Sequence, residues 1–196
     1  NMKVGIFMTL KSTLARTTAK SAHWLLHDVL HRGGTSLPGK LAVSIDPDVL
    51  KSIQQDFDLV IVTGTNGKTL TTALITRVLQ AGGYEVITNH SGSNMIQGIT
   101  GTLVTSKIKP SANGKKPVAV LEVDEANVEK IASAIKPKMF VLTNIFRDQL
   151  DRYGEIYTTY DKIIAGIKHA PEAVVLANGD SPIFTRRSEE RRVGKE

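Results

Sequence analysis

The sequence predicts an α/β fold, a parallel sheet flanked by helices, on three observations. Five short apolar runs, at 59–63, 85–88, 118–123, 139–143 and 174–177, alternate with helical patterns. Buried parallel strands read as short continuous apolar runs, and the helices between them cover both faces of the sheet. The second observation is the run LVIVTGTNGKTLTT at 59–72, where a glycine-rich turn ending in Gly67-Lys68-Thr69 joins the first strand to a helix. The third is size, since 196 residues with 41% hydrophobic content suffice for one substantial core.

Taken in order, residues 11–31 contain neither Gly nor Pro and space Leu14, Ala22, Leu25, Leu26, Val29 and Leu30 at three- and four-residue intervals, which predicts a helix. Lys11, Arg16 and Lys20 make its first half basic. That half reads either as a packed amphipathic helix or as a surface for anionic lipid or a lipid-linked substrate. Gly33, Gly34, Pro38 and Gly39 predict a loop over 32–39, and Asp46 before Pro47 predicts the start of a short helix. Helical patterns at 70–81, 126–135 and 156–169 then separate the strands, and the basic stretch 107–116 is the one loop-like insertion. In such sheets ligands bind at the carboxyl ends of the strands. The motifs that carry chemistry in this chain all lie there.

The expected organisation is a short helical segment over 1–55, a nucleotide-binding domain over 56–185 and a tail over 186–196. Met8 offers a second start, so residues 1–7 read as untranslated sequence. Residues 187–196 back-translate to a run resembling a sequencing-library adapter, so this tail is expected to be non-native and unpacked, with the gene product interrupted after Thr185.

Charge narrows the function classes. The net charge of +6 comes from the ends: residues 1–40 carry six Lys/Arg against one Asp, and 186–196 carry five against three Glu. The body, 41–185, has fourteen against fifteen and is close to neutral. With 5% aromatic residues there is no basic surface interleaved with stacking platforms, so no nucleic-acid partner is expected. No apolar run approaches the ~20 residues of a membrane span and no signal-peptide pattern opens the chain. The expected location is the cytoplasm, with contact at the inner membrane face through the amino-terminal helix. The absence of cysteine excludes disulfides and thiolate metal sites from this stretch.

The glycine-rich turn carries the chemistry. Its backbone N–H groups and the start of the next helix converge where they favour anionic oxygens; Lys68 reaches terminal phosphates, and the Thr69 hydroxyl suits Mg²⁺. The usual spacing requires a glycine where Val62 stands, so this is a shorter loop, Gly64-Thr65-Asn66-Gly67-Lys68-Thr69. It resembles the ATP loop of the Mur ligase family, P-loop ATPase-like enzymes that join a carboxylate to an amine at the expense of ATP. The resemblance implies the Mur ligase central domain, with ATP and Mg²⁺ as cofactors and Lys68 acting on the phosphates.

Two further stretches carry the resemblance. The strand ending Glu122-Val-Asp124-Glu125 places Glu122 at the family's magnesium-binding glutamate position. Strand alternation sets Asp124 on the same face and Glu125 beyond the strand end, and either can instead cap the helix that comes next. The run Thr143-Asn144-Ile-Phe-Arg-Asp148-Gln149-Leu-Asp151-Arg-Tyr153-Gly154 resembles the family motif in which Asn and Asp shape the nucleotide site and His binds metal. Asn144 and Asp148 fall on the first two; Gln149 replaces the His, leaving an amide oxygen as the metal ligand and no imidazole. Lys162 lies nearest the family's modified lysine. His90 and the loop Ser91-Gly92-Ser93-Asn94 stand where the family has a polar loop near the γ-phosphate, a structural turn being an equal reading.

Within the family, the early run from Arg32 to Lys40, with Asp46-Pro47 and the Gln-containing motif, is similar to the MurT branch. That similarity implies activation of the D-glutamate α-carboxylate of lipid II for amidation, with ammonia from a GatD-type glutamine amidotransferase subunit. It also implies a zinc-binding insert downstream. Two other readings remain: a folylpolyglutamate- or cyanophycin-type ligase that couples an amino acid, and a P-loop NTPase switch without ligation. Dependence of ATP turnover on a carboxylate acceptor separates ligase from switch.

Overall fold

The computed structural model describes residues 2–26, 35–89, 93–146 and 155–184. Its centre is β1 (Asp58–Thr63), whose alternating side chains serve two faces: Leu59 and Ile61 join one apolar cluster and Val62 another. Beside it lies β3 (Val118–Glu122), buried along its whole length, and on the other side β4 (Met139–Leu142). The edges are β2 (Val86–Thr88) and β5 (Val174–Ala177). The order is β2-β3-β1-β4-β5, with every pairing parallel. This is the α/β sheet the sequence predicts.

Register positions the site. Val62 pairs with Glu122 and Thr63 with Leu142, so β1, β3 and β4 end level with one another. The segments leaving these three strands therefore meet at a single rim: the glycine-rich turn after β1, the carboxylates of and after β3, and Thr143-Asn144 after β4.

Helices divide unequally between the faces. α3 (Lys68–Ala81) covers Val62, Val118, Val120 and Val141 with Ile75 and Leu79. On the opposite face are α1 (Met2–Trp24), α2 (Ser36–Ile45), α4 (Ile96–Thr105), α5 (Val128–Ala134) and α6 (Glu155–Lys168), whose buried residues join Leu59, Ile61, Leu121 and Phe140 in the larger cluster. Among the described residues no helix is long and apolar enough to cross a membrane.

The amino-terminal elements differ from expectation. α1 starts at Met2 and ends at Trp24, while 27–34 lie outside the described residues. Its buried side is Ser12, Ala15 and Ala19, and Leu14 is exposed. Small residues face inward here because α2 packs closely on α1. The loop expected over 32–39 gives way from Ser36 onward to α2, with Pro38 in its first turn, where a missing N–H breaks no intrahelical bond. Nor does Asp46 open a helix. It ends α2, its N–H bonding the Ala42 carbonyl at 2.9 Å, and its side chain accepts from the Asp48 N–H at 3.0 Å to start the turns leading to a 3₁₀ turn at Lys51–Ile53. The Ser12 hydroxyl donates to the other oxygen of this buried carboxylate. Ser12→Ala removes that donor and is expected to cost about 2 kcal/mol, measured as a lower denaturant midpoint at unchanged slope.

α4 is the element that the sequence did not announce. Its ten residues include Gly98, Gly101, Thr100 and Thr102, poor helix formers all, yet Gly98 to Val104 is buried throughout. Tertiary packing makes this helix. An ideal Cβ at Gly39 falls on the Gln97 carbonyl, and one at Gly101 on the Thr35 carbonyl, so two glycines let α2 and α4 cross backbone to backbone.

Candidate active site

The turn after β1 holds its shape through two glycines and one asparagine. Gly64 has φ +131°, and a side chain there meets the Thr143 hydroxyl and the Asn144 backbone; Gly67, at φ +81°, turns the chain into α3. L-residues avoid both conformations. Asn144 braces the loop from β4. Its carbonyl accepts from Thr65 N–H at 2.8 Å, its Oδ1 accepts from Asn66 N–H at 2.9 Å, and its Nδ2 donates to the Asn66 carbonyl at 3.1 Å. Thr143 Oγ1 donates to that same carbonyl at 2.8 Å, and Phe146 N–H donates to Thr65 Oγ1 at 3.1 Å. The side chain of Asn144 thus shapes the site by fixing the loop's backbone.

With the loop so fixed, the first N–H groups of α3 point out of the rim, where helix geometry leaves them without intrahelical acceptors. The first bond of the helix is Thr71 N–H to the Gly67 carbonyl at 2.9 Å.

Lys68 and Thr69 each face one carboxylate. Lys68 Nζ pairs with Glu125 Oε1 at 3.3 Å and donates to the carbonyls of Gly64 and Thr65; the two charged side chains are 14% and 17% exposed. Thr69 Oγ1 donates to Glu122 Oε2 at 2.7 Å, with Glu122 8% exposed at the end of β3. Thr69 and Glu122 would be the residues to hold Mg²⁺, which takes oxygen ligands of this kind. Both oxygens are hard. The donor set fits the ion.

Strand alternation does not extend to Asp124, because β3 ends at Glu122. Asp124 Oδ1 instead accepts from Ala126 N–H at 3.0 Å, capping the 3₁₀ turn Glu125–Asn127 that precedes α5. Glu125, free of that capping duty, reaches Lys68. The sequence left Asp124 and Glu125 interchangeable as cap, and the geometry separates them.

Next to Thr69 and Glu122 opens a cavity of about 320 Å³, bounded by Thr72, Thr76 and Arg77 of α3 and by Asn89 after β2. Asn89 is the residue that sequence reasoning missed. Its one signal was position, directly after the end of β2 in the polar run Thr88-Asn89-His90. His90, Ser91 and Gly92, together with Asp148, Gln149, Asp151, Tyr153 and Gly154, lie outside the described residues, as does the tail. Lys162 is exposed on α6.

Comparison with known proteins gives the family and the fold. Residues 62–195 match the family model of the Mur ligase middle domain. Over 177 residues the chain is 51% identical to the lipid II isoglutaminyl synthase (glutamine-hydrolyzing) subunit MurT of Streptococcus pneumoniae (strain ATCC BAA-255 / R6), covering 90% of this chain and 38% of that protein. The same-named subunit of Staphylococcus aureus (strain N315) is 38% identical over 154 residues, 78% of this chain and 34% of its own length. Among solved structures, MurF ligase from Thermotoga maritima in complex with ADP superposes with a TM-score of 0.61 over 76% of this chain and 35% of that one, at 21% identity, a likeness of fold. The chain therefore spans well under half the length of these relatives.

Proposed function

This chain belongs to the Mur ligase family, and from that premise we propose that it forms the nucleotide-handling part of a MurT-type ligase. ATP phosphorylates the α-carboxylate of D-glutamate in the stem peptide of lipid II. The carboxylate oxygen attacks the γ-phosphorus, ADP leaves, and the resulting acyl phosphate is attacked by ammonia from a GatD-type glutaminase partner. Phosphate departs and D-isoglutamine remains.

The observation that carries this reading is the pairing of Lys68-Thr69 with Glu125 and Glu122 at the rim where the glycine-rich turn ends. Phosphoryl transfer asks a protein mainly for position and for compensation of charge. The N–H groups of Gly67, Lys68 and Thr69, at the start of α3, orient the phosphates, and Lys68 exchanges its carbonyl contacts and Glu125 for the β- and γ-oxygens. Thr69 and Glu122 would hold Mg²⁺, whose charge would offset that of the transferred group. A lipid-linked acceptor sets this reaction at the inner membrane face, where Lys11 and Lys20 of α1 supply cations. The amino-acid-coupling and NTPase-switch readings rank below it, because the relatives at 51% and 38% identity are both MurT subunits.

The test mixes the full-length ligase with a GatD-type glutaminase, glutamine, ATP and lipid II, and follows product mass. Conversion of one carboxylate to an amide is the expected result. Free ammonia should substitute for glutamine and the partner together, since it is the nucleophile. Coupling of an added amino acid with no amidation from either nitrogen source overturns the proposal in favour of an amino-acid ligase.

The two carboxylates are expected to behave differently. Glu122→Gln should raise the Mg²⁺ concentration for half-maximal ATP turnover about tenfold or more, and Glu125→Gln by less, since Glu125 meets the lysine and not the threonine. A Mg²⁺ titration of the two variants ranks them. The reverse order would move the metal to Glu125.

A further inference from the structure

The geometry points to Asn89 as the residue that positions Glu122 for Mg²⁺, an inference that rests on the metal assignment proposed above. β2 pairs with β3 as far as Thr88 opposite Val120, and there its backbone leaves the sheet. The Asn89 side chain continues the ladder in its place. Its Oδ1 accepts from Glu122 N–H at 2.9 Å and its Nδ2 donates to the Glu122 carbonyl at 2.8 Å, so one carboxamide satisfies both backbone groups of one residue. The second Nδ2 hydrogen goes to the Ser93 carbonyl at 3.0 Å. Asn89 is 7% exposed, and the Glu122 N–H fixes which end of the amide is oxygen.

The consequence falls on the carboxylate. On its other side the β3 backbone is held by β1, with Val123 N–H donating to the Val62 carbonyl at 2.9 Å. Clamped from both neighbours, Glu122 keeps only its side-chain torsions free, and its carboxylate lies 2.7 Å from Thr69 Oγ1. The same asparagine ties residue 93 to this point, and Asp124 N–H donates to the Asn94 carbonyl at 3.0 Å, so the turn carrying Glu125 is anchored to the same segment. No other side chain supplies this pattern at that length. An aspartate in place of Asn89 would be wrong in kind: it has no donor, and it would set a negative oxygen against the carbonyls of Glu122 and Ser93.

Groups that orient metal ligands act on metal affinity more than on anything else the site does, by about 10–100-fold. The experiment measures ADP binding to the full-length protein by calorimetry, once in excess Mg²⁺ and once in EDTA, for wild type, Asn89→Asp, Asn89→Ser and Glu122→Gln. Mn²⁺ binding in the presence of ADP, followed by electron paramagnetic resonance, reads the ion directly. Asn89→Asp and Asn89→Ser are expected to lose about tenfold of the affinity gained from Mg²⁺ and to stay within about twofold of wild type in EDTA. Asn89→Ser, which brings in no charge, decides the matter should Asn89→Asp fail to fold. Equal losses in EDTA and in Mg²⁺ would make Asn89 a structural bolt only and overturn the inference. A full Mg²⁺ gain in both Asn89 variants beside a defective Glu122→Gln overturns it too, leaving the proposed function standing. A full gain in Glu122→Gln removes the metal assignment and this inference with it.

Discussion

Lys68→Ala is expected to lower ATP turnover of the full-length ligase by about 10²–10³-fold, the scale set by removing one preorganised charge or donor from a phosphoryl-transfer site. The side chain lies at the start of α3, anchored on the Gly64 and Thr65 carbonyls, so its ammonium is already at the loop mouth where the phosphates arrive. The fold should survive. Lys68 contributes nothing to either apolar cluster, and the substitution leaves Glu125 without its partner at a cost of about 1–3 kcal/mol. Turnover and a circular-dichroism melt on one preparation check both halves of the statement. Unchanged turnover would take the phosphates away from this loop, and an unfolded variant would show that the lysine serves structure first.

The strands were legible because the polar residues in them, Asp58, Thr63, Thr88 and Glu122, stand only at strand ends, which leaves each an apolar run even in β5, exposed along its length. Val174–Ala177 has the bounds read from its apolar run, and the other four differ by a residue at one end. The glycine-rich turn was legible for a related reason, since a backbone that must adopt positive φ advertises itself as Gly64 and Gly67. α4 and α2 were hidden by the same residue type used differently. Gly39 and Gly101 read locally as turn formers, and only the helix crossing, which brings together residues 62 positions apart, shows that they are there for want of a Cβ. The division of labour among Glu122, Asp124 and Glu125 was similarly out of reach, because it depends on β3 ending at Glu122 and on a 3₁₀ turn re-aiming the next three residues. Asn144 was found by resemblance, but its part in bracing the loop came from hydrogen bonds across 78 positions of sequence.

The helix crossing gives the second large effect, this time on stability. Gly101→Ala is expected to cost about 3 kcal/mol, a fall in melting temperature of roughly 6–12 °C for a chain of this size. In an exposed helix the same change would stabilise, since alanine is the better helix former by about 1 kcal/mol. Here the added methyl lands on the Thr35 carbonyl, a backbone atom at the start of α2 that cannot swing away as the end of a long side chain can. To make room α2 and α4 must separate, which loosens Thr35 from the Gly98 carbonyl, now 3.0 Å from its hydroxyl, and opens the larger cluster where Ala42 of α2 and Ile99 of α4 are buried. Gly179→Ala is the control, because nothing lies within 4 Å of a Cβ built there, and its melting temperature should stay near that of the parent. The sign of the Gly101 effect is the discriminating result. A Gly101→Ala variant as stable as the parent, or more so, would mean that propensity outweighs contact at this crossing and that α2 and α4 do not meet through their backbones.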